Sequence, residues 1–337
     1  MLEKYTNKIV EQIYEKWKKE GDSQTRRTYL GGSEIGKPCE RELWYSFRHC
    51  TENDFSGRLY RLFQRGHNEE ETFVKDLRDI GCEVWEVDED GKQFEVSACG
   101  GHFKGHTDGV ARIPGHNKPH LLEFKTSNTK DFKKLEKEGV EVCKPVHYAQ
   151  MQVYMELMNL ERALYMVVCK ETDEIYTERV RYSKKDAENL LKKAERVIYG
   201  DLPERPYDRE DYYLCKFCDA RKICWGSQSP EPSIPIKKLS CRQCVHAEPT
   251  KDGEWNCKFH KKLATEPCKD MLFIPSLVSF AEPKQYFPDH NVIEFQGSET
   301  WYHGDKGWDS KALNCEDLIT LPKEIVELPQ EPEPEQK

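Results

Sequence analysis

Asp108, Glu123 and Lys125 are the residues of this 337-residue chain whose types and spacing point most directly to chemistry. Asp108 lies within the predicted strand region FKGHTDGVARI, and Glu123 and Lys125 stand two apart on the next strand, HLLEFKTS. Period-2 alternation turns both of those side chains to one face and Phe124 to the other, towards the core. Two hard oxygen donors beside a lysine suit a divalent ion such as magnesium, which takes carboxylates, a backbone carbonyl and waters. A glutamate and a lysine on a strand are ordinarily a solvated face. This strand is otherwise apolar, however, and buried charge is costly unless it is paired or binds a metal. Downstream, Gln150 and Tyr154 in HYAQMQVYM are spaced i,i+4 and share one helix face.

Asp108, Glu123, Phe124 and Lys125 resemble the D…ExK core of the PD-(D/E)XK nuclease superfamily. Gln150 and Tyr154 resemble the QxxxY signature of its RecB-like exonuclease branch, which includes AddB-type, CRISPR-associated and phage recombination enzymes. The resemblance runs from residue 28 to residue 226. It implies an α/β fold, with a mixed central sheet flanked by helices, and a magnesium- or manganese-dependent DNA exonuclease. Asp108 and Glu123, helped by Glu70 and the Phe124 carbonyl, would hold the metal; Lys125, Gln150 and Tyr154 would complete the catalytic set. Glu70, four residues after Gly66, resembles the first-helix acid of this branch, and His67 stays open as an alternative there. Phage relatives of this type process DNA ends for recombination beside a single-strand annealing protein, so the resemblance implies such a partner. An endonuclease on the same fold and a non-catalytic nucleic-acid-binding scaffold are the rival readings. The intact Asp108, Glu123, Lys125 and Gln150 argue against the scaffold.

Fourteen cysteines in a chain that starts without an export signal read as reduced thiols and therefore as ligands rather than a disulfide framework. Cys215, Cys218 and Cys224 form C-x2-C-x5-C, three ligands that need a fourth. RecB-like nucleases with iron-sulfur clusters carry one cysteine far upstream of the core, and Cys39 resembles it. The resemblance thus implies a [4Fe-4S] cluster on Cys39, Cys215, Cys218 and Cys224; a thiolate tetrad also suits zinc, and spacing does not separate the two. Cys241, Cys244, Cys257 and Cys268 form C-x2-C-x12-C-x10-C, which resembles a small zinc module, with His246 and His260 near enough to replace a cysteine. The other cysteines have no ligand spacing and read as small core residues.

The elements that must position these groups follow from periodicity. A charged amphipathic helix opens the chain; Ser33 is the expected N-cap of a helix carrying Leu43, Trp44 and Phe47, and LYRLFQRGHNEEETFVKDLRDIG is another amphipathic helix. A meander of strands follows, with turns at DEDGK and PGHNK. Then come the apolar helix at HYAQMQVYM, two strands joined at Thr172–Asp173, and a closing helix. We expect a nuclease domain over 1–229, a zinc-binding and β-rich region over 230–320, and a disordered acidic tail over 321–337. The formal net charge of −9 weighs against a nucleic-acid partner, but the tail adds acid away from the sites, while KDFKKLEK and CKFHKKL concentrate lysine near them. No run approaches the ~18 apolar residues of a membrane span, so a soluble cytoplasmic enzyme is expected.

Overall fold

The computed structural model describes residues 8–51, 54–226, 234–297 and 299–320. The boundary expected near residue 229 and the acidic tail lie outside the described residues. Two compact units are present. The described parts of Met1–Pro38 and Asp54–Glu195 make the first, and those of Cys39–Asn53 and Arg196–Lys337 make the second.

The chain opens with α1 (Lys8–Asp22) and β1 (Leu30–Gly31), passes through α2 (Glu40–Phe47) of the second unit, and returns to the first with α3 (Gly57–Asp79). Next come β2 (Glu83–Trp85), β3 (Glu95–Ala98), β4 (Phe103–His106), β5 (Val110–Arg112) and β6 (His120–Ser127). They are followed by α4 (Thr129–Cys143), α5 (Pro145–Leu157), β7 (Arg162–Cys169), β8 (Ile175–Arg181) and α6 (Lys184–Tyr199). A five-stranded sheet is ordered β2-β5-β6-β7-β8, with β6 and β7 parallel and its other neighbours antiparallel. Parallel neighbours cannot be joined by a hairpin. Here α4 and α5 make the crossover.

Both faces of the central strands are covered, which is why β6 and β7 read as nearly continuous apolar runs. On one face Phe73, Val74 and Leu77 of α3 pack on Leu122, Phe124, Met166 and Val168. On the other, Phe132, Leu135, Met151, Tyr154 and Met155 of α4 and α5 pack on Leu121, Ala163, Tyr165 and Val167. The first unit is therefore a helix–sheet–helix sandwich. Asn128 caps α4 by accepting from the Asp131 N–H at 2.8 Å, and Pro145 starts α5, where its missing N–H costs nothing.

Three expectations are corrected. The meander does not form one sheet: β3 and β4 join β1 in a separate three-stranded sheet, so FKGHTDGVARI breaks at Thr107–Gly109 into two strands of different sheets. Ser33 is not a helix N-cap, because it lies in a 3-10 turn at Gly32–Glu34, and α2 begins only at Glu40 with Cys39 as its N-cap. Pro38 disfavours helical geometry at the residue before it. Finally, the lysine-rich KDFKKLEK belongs to a helix that the sequence pattern does not announce, α4, which is interrupted at Gly139, where φ is +73° and Glu178 accepts from the Val140 N–H at 2.8 Å.

In the second unit α2 precedes the short helices α7 (Tyr213–Lys216) and α8 (Arg221–Cys224). Strands β9 (Ala247–Pro249), β10 (Trp255–Cys257) and β11 (Lys262–Leu263) form one small antiparallel sheet. A second sheet holds β12 (Glu282–Phe287), β13 (Val292–Gln296), β14 (Thr300–His303) and β15 (Ala312–Leu313), followed by α9 (Cys315–Thr320). Trp301 stacks on Phe295 and Phe280, with centroids 4.8 and 6.2 Å away. The carbonyls of Phe47 and His49, at the end of α2, accept from Arg242 at 3.1 Å and Gln243 at 2.6 Å.

Candidate functional site

The break between β4 and β5 delivers Asp108 to the middle of β6. Its Oδ2 accepts from the Phe124 N–H at 2.6 Å. Gly109 follows at φ +131°, and a Cβ there would lie 2.6 Å from the Trp85 carbonyl oxygen, so this turn requires glycine. Phe124 points the other way and stacks on Phe73 at 5.1 Å.

Glu123 is fully buried. Gln150 donates to its Oε2 at 2.9 Å, and the Lys125 ammonium pairs with its Oε1. Lys125 also donates to the Phe124 carbonyl at 3.0 Å, which leaves that oxygen a second lone pair. Burial raises the Glu123 carboxyl; Lys125 opposes the rise, and Asp108 and Glu70 add to it. For Lys125, burial disfavours the ammonium, but Glu123 and Asp108 outweigh it and hold the pKa above the ordinary lysine range. Glu70 is raised by burial and by Asp108 and eased by His67, whose Nδ1 lies 3.5 Å from its carboxylate. Asp108, Glu123 and Glu70 thus sit within one another's fields beside a single ammonium. Such a donor set, rich in hard oxygens and drawn out of water, fits a divalent cation.

Tyr154 is buried on the same helix as Gln150, one turn further on. A Cβ at Gly105 would come 2.1 Å from its hydroxyl and one at Gly32 would come 2.4 Å from its ring. The two glycines are what admit it. Sequence reasoning missed His147 and Tyr165: His147 Nδ1 lies 2.7 Å from the Tyr165 hydroxyl, and Tyr165 is the register partner of Glu123 on β7. The signal for His147 was its i,i+3 spacing to Gln150. Nothing in the sequence marked Tyr165.

Both cysteine sets fall within the second unit. Cys39, at the N-terminus of α2, and Cys215, Cys218 and Cys224, on and around α7 and α8, lie within one another's fields. Burial raises the Cys39 and Cys215 thiols and pushes Cys218 up to about 12. Gathered, partly buried and in range of one another, these four fit a thiolate-bound metal centre. Cys241, Cys244, Cys257 and Cys268 line one small cavity of about 20 Å³, with His246, His260 and Asp270 also on its wall. Within it the His260 Nε2, Cys268 Sγ and an Asp270 carboxylate oxygen converge to within 4.8 Å of one another. Burial and the other three thiols push Cys241 up to about 11. His246 instead bonds Asn291 at 2.6 Å.

Among solved structures the chain is similar to SSO0001, at 18% identity and a TM-score of 0.39 over 68% of this chain and 98% of that one. It is also similar to LHK-Exo in complex with dAMP, at 17% identity and a TM-score of 0.39, and to the alkaline exonuclease LHK-Exo from Laribacter hongkongensis, at 16% and 0.36. Each of these two covers 54% of this chain and 90% of the other. At these TM-scores the likenesses add nothing to an assignment. No curated protein matches. The family model of the PD-(D/E)XK nuclease superfamily, in contrast, matches residues 7–225, which include Asp108, Glu123, Lys125, Gln150 and Tyr154. With well over half of its sequence matched, this chain belongs to the PD-(D/E)XK nuclease superfamily.

Proposed function

We propose that this chain is a magnesium- or manganese-dependent DNA exonuclease that processes DNA ends for recombination or repair, with Asp108, Glu123 and Lys125 at its centre. The observation that carries the proposal is the buried Glu123 carboxylate, clamped between Lys125 and Gln150 and beside Asp108. A carboxylate held so deeply by a costly set of polar partners is a feature of a site rather than of a core. Asp108, Glu123, Glu70 and the free lone pair of the Phe124 carbonyl would hold the ion. When bound, it supplies charge neutralisation at the scissile phosphate and acidifies the attacking water.

The residues of the chain supply the rest. Lys125, kept as an ammonium, donates to the attacking water or a phosphate oxygen and offsets the charge that develops there. Gln150 fixes the rotamer of Glu123. Tyr154, wedged between Gly32 and Gly105, holds α5 at the distance this requires. In the second unit, Cys39, Cys215, Cys218 and Cys224 would hold a [4Fe-4S] cluster, or zinc in its place, with a structural role. Cys241, Cys244, Cys257 and Cys268 would hold zinc, with His260 as the replacement donor that its convergence with Cys268 supports. We place the enzyme in the cytoplasm, beside a single-strand annealing protein. No described helix is long and apolar enough to cross a membrane.

The test is degradation of end-labelled linear DNA and closed circular DNA by anaerobically purified protein with magnesium or manganese, beside Glu123→Ala. Metal-dependent loss of linear DNA alone, absent in the variant, is the expected result. Cutting of circles would replace the exonuclease with an endonuclease, and inert but metal-loaded protein would leave a nucleic-acid-binding scaffold.

A further inference from the structure

We propose that His147 and Tyr165 form a positioning pair that fixes the Lys125 ammonium, a role that rests on the function proposed above. His147, Gln150 and Tyr154 occupy positions i, i+3 and i+7 of α5 and so share one stripe of it. Each meets a different strand: Tyr154 reaches Gly105 on β4, Gln150 reaches Glu123 on β6, and His147 reaches Tyr165 on β7. The stripe therefore extends the two-residue signature by one turn. Parallel register sets Tyr165 beside Glu123, and Lys125 lies two residues along β6 on the same face.

Tyr165 is 1% exposed, and a phenol at that depth is retained where its hydroxyl has a partner. That partner is His147 Nδ1, at 2.7 Å. Burial and then the positive charges of Lys125 and Lys144 keep His147 neutral, and we assign it the tautomer with the proton on Nε2, in which Nδ1 accepts the phenol proton. The phenol oxygen is then left with its lone pairs, a negative dipole end beside an ammonium that already bonds Glu123 and the Phe124 carbonyl. An ammonium carries three donors, and the Tyr165 phenol, two residues back along the same face of the neighbouring strand, adds a favourable dipole to the field that holds it. Lys125 is thereby held in one rotamer before substrate arrives, which is the preorganisation that phosphoryl chemistry exploits.

The experiment compares wild type with Tyr165→Phe, His147→Ala, His147→Asn and the Tyr165→Phe/His147→Ala double variant. One readout is steady-state cleavage of labelled DNA with manganese. The other is the rate at which an amine-directed acylating reagent modifies Lys125, read by mass spectrometry without metal or DNA. Tyr165→Phe and His147→Ala should each lower kcat about tenfold, the usual size for loss of an orienting partner, with KM unchanged. The double variant should lose no more than either single one, because both act through one contact. His147→Asn, whose amide oxygen accepts the phenol proton, should recover most of the loss. Lys125 acylation should rise in the same order. Unchanged kcat and acylation in Tyr165→Phe would overturn the proposal, as would additive losses that track thermal stability, which would mark the pair as packing. If wild type cleaves no DNA the nuclease reading fails by itself, and the acylation series still decides whether the pair holds Lys125.

Discussion

Glu123 and Cys218 are both acids that burial shifts towards the protonated form, and they differ in what the protein has placed around them. Glu123 has an ammonium on one oxygen and an amide on the other. Cys218 has Glu42, Cys39 and Cys224, all of which raise it further, against a single backbone hydrogen bond from Ala220. The first unit therefore assembles its charged centre from its own side chains, on β6, the turn between β4 and β5, α3 and α5. The second gathers thiols that raise one another, with Arg221 easing Cys215 alone, in a unit of short helices and small sheets. A site that already has its counter-charge can fold empty. A site of thiols that raise one another would gain stability from a bound metal.

Removing metal should divide the two units most sharply. A chelator under reducing conditions should raise amide exchange through β9–β11 and around α7 and α8 while β6 and β7 keep their protection, since a structural zinc contributes about 10 kcal/mol or more. Unchanged exchange in the second unit would erase the distinction. Next in size is Glu123→Gln, which should lower cleavage about a thousandfold, or about 4 kcal/mol of transition-state stabilisation. It should leave the melting temperature within a few degrees of wild type, because the burial cost of the raised carboxyl is lost while the amide oxygen still accepts from Lys125 and Asp108 still offsets its charge. A variant that melts well below that would show that the carboxylate serves the fold.

Lys125→Met tests the same clamp from its other side. Stranding the buried carboxylate should cost about 3 kcal/mol in urea unfolding. The Lys125→Met/Glu123→Gln double variant should regain most of that, and a double variant as unstable as the single would refute the pairing. The smallest effect concerns a buried histidine of the second unit that uses no metal. His303 Nε2 accepts from the Phe273 N–H at 2.8 Å and its Nδ1 lies 2.9 Å from the Leu313 carbonyl, so the folded state wants it neutral. Burial lowers it from 6.5 to about 4, with the Leu313 bond opposing. The unfolded chain then takes up a proton as pH falls through 6.5 while the folded chain does not, so stability is lost on acidification. By pH 5 the loss should reach about 2 kcal/mol, and it should be absent from His303→Gln unfolded at pH 7 and pH 5.

Much of the nuclease core was legible because it is written in short periods. HLLEFKTS shows its alternation and HYAQMQVYM its i,i+4 face, so the central strand, the helix over it and the common face of Glu123 and Lys125 followed from local spacing. The meander was misread because alternation continues through FKGHTDGVARI, and only Gly109, with its positive φ, reveals that the chain changes sheets there. Ser33 was misplaced for a related reason: its side chain suits an N-cap, but Pro38 stands between it and the helix. The α4 helix went unread because Gly139 interrupts its pattern.

The sequence by itself determined the donor types, the spacing of Glu123 and Lys125, the QxxxY stripe and the grouping of cysteines, because these depend on residue identity and on the fixed repeats of strand and helix. Tertiary structure alone decided that Asp108 bonds the Phe124 N–H from a turn between two sheets, that Gln150 meets Glu123, and that Tyr165 lies opposite Glu123 with His147 on its hydroxyl. It also decided that Cys39 shares a unit with Cys215, Cys218 and Cys224. Those contacts join residues from different elements, and no local period encodes which strand will pair with which or which helix face will cover it.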